Sequence, residues 1–188
     1  MEKVVIAVCV LMTVISALPP RHIKGIQIKN NGQEGLWIEM TNENSFNLPA
    51  GQMASVILED SWSGKIFARS EECQYKKCNS PYTVAELTFG GDAKDDRYRV
   101  SVIDGYNKPI KIQPSGPNNF CKVSSCKINL KLNCPPTHQI KGEDTDDTVA
   151  CHALPDVFQS LCPHAATSDT DKDMFSCKTS NTYFVSIG

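Results

Sequence analysis

Cysteines, histidines and carboxylates are the side chains whose spacing could carry chemistry in this chain. Of nine cysteines, Cys9 lies in an apolar run near the start, and eight follow: Cys73, Cys78, Cys121, Cys126, Cys134, Cys151, Cys162 and Cys177. An even set of this density belongs to an oxidising compartment and reads as four disulfides rather than as reactive thiols. His138, His152 and His164 lie near cysteines, but no Cys-x2-Cys or His-x3-His spacing occurs, so neither a metal nor a cofactor is expected. Two acidic runs, Glu143-Asp144-x-Asp146-Asp147 and Asp169-x-Asp171-x-Asp173, lack the glycine and terminal glutamate of a calcium loop and read as solvated surface. There is no Gly-x-Ser-x-Gly elbow and no phosphate loop.

These residues must be held by strands. Ile26-Gln27-Ile28, Leu36 to Met40, Lys65 to Arg69, Tyr98 to Val102 and Lys127 to Leu132 alternate apolar and polar residues with period two. Turn formers lie between them at Asn30-Asn31-Gly32, Asp104-Gly105 and Pro114-Ser115-Gly116-Pro117, which predicts an antiparallel all-β core. Trp37 and Trp62 flank such strands and are expected in that core. Helical signal is confined to Pro155 through Leu161, enough for about two turns. Six of the eight cysteines fall between Cys121 and Cys177, which predicts a stapled, loop-rich lobe.

With 188 residues, 19 basic against 21 acidic groups and a formal charge of −2, the chain suits one globular domain and not a nucleic-acid partner. Lys3 followed by the apolar run from Val4 to Ala17, closing on Ile15-Ser16-Ala17, predicts a removed signal peptide over residues 1–17. That run is shorter than the roughly 20 residues a spanning helix needs. A secreted, extracellular monomer without a membrane anchor is the expectation.

Cysteine positions alone leave about 105 pairings open. A resemblance narrows them. Trp62-Ser63-Gly64-Lys65-Ile66-Phe67-Ala68-Arg69-Ser70, followed by Cys73, resembles the Trp-x-Gly-Arg-Ile-Trp-x-Arg-Thr stretch of the thaumatin-like family. Thr83 to Leu87, Asp104-Gly105-Tyr106-Asn107 with Pro109, Cys121-x4-Cys126-x7-Cys134-Pro135, and Phe158 to Pro163 with Phe175-Ser176-Cys177 resemble further family segments in the same order. The resemblance runs from about Ile26 to the C-terminus. It implies a flattened antiparallel β-sandwich with a small disulfide-rich lobe: residues 18–188 as the domain, the sandwich over about 24–132, the lobe over about 121–177, and a strand at 182–188 returning to the core. It further implies the pairs Cys73–Cys78, Cys121–Cys177, Cys126–Cys162 and Cys134–Cys151. Gly32 and Gly188 stand where the family has a pair of cysteines joining the chain ends, so looser ends are expected here.

By the same resemblance a cleft between sandwich and lobe is lined at five positions, held here by Lys65, Glu86, Arg99, Asp104 and Asp169. Lys65 stands for an arginine and Arg99 for an aspartate. Cleaving a glycosidic bond calls for one protonated and one ionised carboxyl, and Glu86 with Asp104 are the candidates. A guanidinium at position 99 favours the ionised form of a neighbouring carboxyl and so opposes proton donation. Residues 99 and 104 also differ in strand parity, so a bend near Gly105 is needed to bring them together. The implied function is defence, antifungal through binding of cell-wall β-1,3-glucan in this cleft, with Tyr98 or Tyr106 offering faces to the sugar rings. The alternatives are a weak endo-β-1,3-glucanase using Glu86 and Asp104, and an inhibitor that binds a pathogen hydrolase.

Overall fold

The computed structural model describes residues 23–90, 94–115, 121–143, 145–171, 174–178 and 180–188. Residues 1–17, and with them Cys9 and the leader expectation, lie outside the described residues, as do Asp144, Asp173 and the Gly116-Pro117 turn.

Alternation of apolar and polar side chains produces the strands. Strand β1 (Ile23–Asn30) buries Ile26 and Ile28, and β2 (Leu36–Met40) buries Leu36, Ile38 and Met40 while turning Trp37 and Glu39 outward. There follow β3 (Phe46–Leu48), β4 (Met53–Glu59), β5 (Ser63–Ser70), β6 (Val84–Thr88), β7 (Asp96–Ser101), β8 (Ile110–Ser115) and β9 (Ser124–Cys126). The lobe adds a short hairpin of β10 (Gln139–Lys141) with β11 (Thr148–Cys151), then β12 (Ala165–Ala166) and β13 (Phe175–Cys177), and the chain closes on β14 (Thr182–Ile187). The single α-helix among the described residues, α1 (Pro155–Leu161), matches the predicted span, with Pro155 opening it, Asp156 in its first turn and Phe158 buried.

Two sheets form the sandwich. One runs β4-β1-β14-β8-β9. The other runs β12-β7-β6-β5-β2-β3, with β13 also paired to β7. Ile26, Ile28, Ile110, Ile112, Tyr183 and Val185 from the first sheet join Ile66, Ala85, Leu87, Tyr98 and Val100 from the second in one apolar core. Each large side chain buried this way contributes about 1.5–3 kcal/mol. Two pairings are parallel, β1 with β14 and β7 with β12, so the sandwich is not antiparallel throughout. Strand β14 arrives from the lobe rather than from a hairpin, and a crossover of that kind permits a parallel neighbour.

The structure corrects three expectations and shows what stands at the chain ends. Lys127 to Leu132 is not a strand: residues 130–133 form a 3-10 turn whose start is fixed by the Asn129 side chain accepting from the Lys131 amide at 3.2 Å. Its alternation has no sheet to face, since Leu130 is buried while Leu132 is 84% exposed. Pro114 and Ser115 belong to β8 rather than to a turn. Trp37 stands on the outer face of its sheet, whereas Trp62 packs against the core beside Phe89. At the chain ends, backbone contact closes the place that the resemblance assigns to a disulfide. Asn31 donates to the Ile187 carbonyl at 2.7 Å, Gly188 donates to that of Pro109 at 3.0 Å, and Ile187 is fully buried. Gly188 has φ of +97°, and a Cβ there would stand 2.6 Å from the Gly32 nitrogen, so this approach depends on glycine.

Candidate functional site

Register places three of the five cleft positions in one row. Lys65 of β5 lies opposite Glu86 of β6, which lies opposite Arg99 of β7, all on the outer face of the larger sheet. Arg99 Nε is 2.6 Å from Glu86 Oε2, and Lys65 Nζ is 3.5 Å from Glu86 Oε1. Both carboxylate oxygens are therefore engaged by cations. The Glu86 and Arg99 side chains are each less than one fifth exposed, and that of Lys65 about half.

The neighbouring row was missed by the sequence reading. Phe67 and Arg69 share the parity of Lys65 and so share its face, beside Glu39 and Trp37 of β2. Phe67 stacks on Tyr82 with ring centroids 4.3 Å apart and planes 17° from parallel. The Arg69 guanidinium lies 4.8 Å from the Tyr82 centroid and 5.4 Å from that of Phe67. Its Nε is 2.9 Å from Glu39 Oε1, and its Nη1 donates to the Cys78 carbonyl. Strand parity could have found Phe67 and Arg69. Tyr82 precedes β6 in a loop and gave no such signal.

Asp104 and Asp169 do not join the row. Asp104 is exposed in the turn after β7, where Gly105 adopts φ of +112°, and among the described residues no hydrogen bond or ion pair ties it to Glu86. A Cβ at Gly105 would meet the Cys151 carbonyl at 2.6 Å, so the bend depends on glycine. Asp169 is exposed, and Arg99 Nη1 donates instead to the backbone carbonyl of Asp171, two residues on. The Asp171 carboxylate caps its own loop, accepting from the Thr167 amide at 2.7 Å and the Ser168 amide at 3.1 Å. The Thr167 amide bond is the main cause holding that carboxyl below the ordinary aspartate value of 3.8.

Lowering of the folded value means that the cap adds stability above the ordinary value and loses it as pH falls through the lowered one. Amide shifts of Thr167 and Ser168 are therefore expected to titrate below pH 3.8 and to stop titrating in Asp171→Asn. The carboxyl is only partly buried, so the global stability change stays under about 1 kcal/mol. Titration of these amides at or above the ordinary value would show that the cap does not form in solution.

Tyr98 and Tyr106 cannot offer faces to a sugar, since both are fully buried. Tyr98 has the opposite parity to Arg99, which points it inward, and burial pushes its phenol up to about 12. Tyr106 donates to the Ile128 carbonyl at 3.0 Å, and burial raises its phenol too.

The four disulfides join Cys73 to Cys78, Cys121 to Cys177, Cys126 to Cys162 and Cys134 to Cys151, the pairs that the resemblance implies. No helix among the described residues is long and apolar enough to cross a membrane, and no three potential metal ligands gather there.

Chemically, the outer face offers ionic hydrogen-bonding groups beside an aromatic stack, with no free pair of facing carboxyls among the described residues. Comparison with known proteins agrees with the fold. The model of the thaumatin family matches residues 25–154. Pathogenesis-related protein 5 of Arabidopsis thaliana is 31% identical over 136 residues, covering 63% of this chain and 56% of that protein, so the chain spans little more than half of that relative's length. A protein of Prunus avium named glucan endo-1,3-beta-glucosidase is 28% identical over 180 residues, covering 80% of this chain and 73% of its own. Among solved structures, the protein elicitor MoHrip2 of Magnaporthe oryzae shares the fold at a TM-score of 0.52 with 12% identity, covering 87% of this chain and 98% of that one. The family match over more than half the sequence, on a sandwich stapled by these four disulfides, establishes that the chain belongs to the thaumatin family.

Proposed function

We propose that this chain is a secreted antifungal defence protein that binds cell-wall β-1,3-glucan on the outer face of its larger sheet and does not cleave it. The observation that carries this reading is the Lys65–Glu86–Arg99 row set beside the Phe67–Tyr82 stack. Sugar hydroxyls both donate and accept, which suits alternating cations and carboxylate, and the C–H face of a pyranose suits an aromatic ring. The choice of glucan rests on family membership and on the name of the Prunus avium relative. Secretion rests on the disulfides, which persist only where thiols are oxidised.

Cleavage by Glu86 and Asp104 is the second reading, favoured by the name of that same relative. Geometry stands against it. Both Glu86 oxygens are held by cations, leaving none to donate a proton to a leaving oxygen, and Asp104 has no contact with the row among the described residues.

The test is depletion of the oxidised protein from solution by insoluble β-1,3-glucan, with cellulose and chitin as controls. Selective depletion is expected, weakened about ten-fold in Glu86→Gln through loss of charge-assisted hydrogen bonds. Soluble laminarin should gain no reducing ends. Undiminished depletion by the variant would remove Glu86 from the site, and a gain of reducing ends that Glu86→Gln abolishes would restore the enzymatic reading.

A further inference from the structure

A concave site lies at the edge of the sandwich, and none of the residues lining it belongs to the Glu86 row. Its volume is about 380 Å³, within the range of small-ligand pockets, and its walls carry Lys111, Lys122, Lys127 and His164 beside Phe175 and Ser125. No carboxylate lines it among the described residues, and no ion pair to these three lysines is present there. Three lysines lining one hollow with no counter-charge among the described residues make it locally positive, in a chain whose net charge is −2. Composition does not explain it.

The walls are also fixed. Lys122 and Phe175 each lie within two residues of a half-cystine of Cys121–Cys177, and Lys127 and His164 lie likewise beside Cys126–Cys162. The Lys122 carbonyl accepts from the buried Tyr98 hydroxyl. The His164 carbonyl accepts from the Ser125 amide at 3.1 Å and from the Ser124 hydroxyl at 2.8 Å. The backbone around these lysines is thus fixed before any ligand arrives, which lowers the ordering cost of binding.

We propose that this pocket binds an anionic polysaccharide, a glycan bearing carboxylate or sulfate groups, with the lysines taking the charges and Phe175 facing a sugar ring. Separate point charges around a sugar-sized hollow suit a chain of spaced anions better than a single bidentate group. This site is independent of the glucan-binding face and stands whether or not that reading holds.

Retention of the oxidised full chain on immobilised polygalacturonate and on dextran sulfate, with neutral dextran as control, tests the proposal and tells the two kinds of anion apart. Lys122→Glu combined with Lys127→Glu changes two exposed side chains and leaves the core intact. It is expected to weaken retention about ten-fold at low ionic strength, with less effect as salt rises. Lys77→Glu, an exposed lysine in the Cys73–Cys78 loop, should change retention less than about two-fold on the same grounds. Saturating laminarin should not displace the protein from either polyanion. Retention on neither polyanion, equal weakening by Lys77→Glu, or displacement by laminarin would each overturn the proposal.

Discussion

Asp96→Ala is expected to destabilise the fold by about 3–5 kcal/mol, read as a fall in the denaturant midpoint at unchanged slope. Asp96 opens β7 and is 1% exposed, yet all its acceptors are used. Its Oδ2 takes Lys24 Nζ of β1 at 2.5 Å and the Tyr183 hydroxyl of β14 at 2.6 Å, while Oδ1 accepts from the Gly90 amide at 2.9 Å. One carboxylate therefore ties two strands of the smaller sheet to the larger one. Lys24 reaches it past Phe89, with Nζ 5.6 Å from the ring centroid, and its side chain is only 12% exposed. Removing the carboxylate strands an ammonium and a hydroxyl in the interior, and that desolvation exceeds the net worth of the intact pair. Lys24→Met should cost less, because it leaves a buried carboxylate that still accepts from Tyr183 and Gly90. A loss below about 1 kcal/mol in Asp96→Ala would mean that water replaces the carboxylate.

This network had no signature in the sequence, because Lys24, Asp96 and Tyr183 meet only through the order of strands across two sheets. Local pattern served well where burial alternates on a single strand, as in β2 and β5, and where a proline opens a short amphipathic turn, as in α1. It failed at Lys127 to Leu132, where alternation exists without a neighbouring strand, and it could not place β14 between β1 and β8. At the candidate site, parity was the usable signal. It unites Lys65, Phe67 and Arg69 and separates Tyr98 from Arg99, so assigning Tyr98 to the sugar conflicted with information already present. Register between strands was not readable from composition, and the alignment of Lys65, Glu86 and Arg99 came from family resemblance. Asp104 and Asp169 sit in turns, where neither parity nor register constrains direction. The cationic pocket was not legible at all, since its lining comes from β8, the residues around β9, His164 and β13, brought together by strand pairing and two disulfides.

Those disulfides differ in what they contribute. Cys121 and Cys177 are 56 residues apart, whereas Cys73 and Cys78 are 5 apart. Closing the longer loop restricts the unfolded chain more, so replacing both members of the first pair by alanine is expected to cost about 4 kcal/mol, against about 2 kcal/mol for the second. Native geometry sharpens the contrast. Strand β13 is only three residues long and is held to β7 by the register Phe175↔Tyr98 to Cys177↔Asp96, with Cys121–Cys177 as its covalent anchor. Freeing that anchor loosens Phe175 and Lys122 together, both of which line the cationic pocket. The Cys121→Ala, Cys177→Ala protein should therefore lose retention on polyanions along with stability, while the Cys73→Ala, Cys78→Ala protein keeps it. Denaturant midpoints under oxidising conditions, measured beside polyanion retention on both proteins, check the two halves together. Equal losses of stability would show that residual structure in the unfolded chain outweighs loop length, and full retention without the Cys121–Cys177 bond would show that the pocket walls hold without their staple.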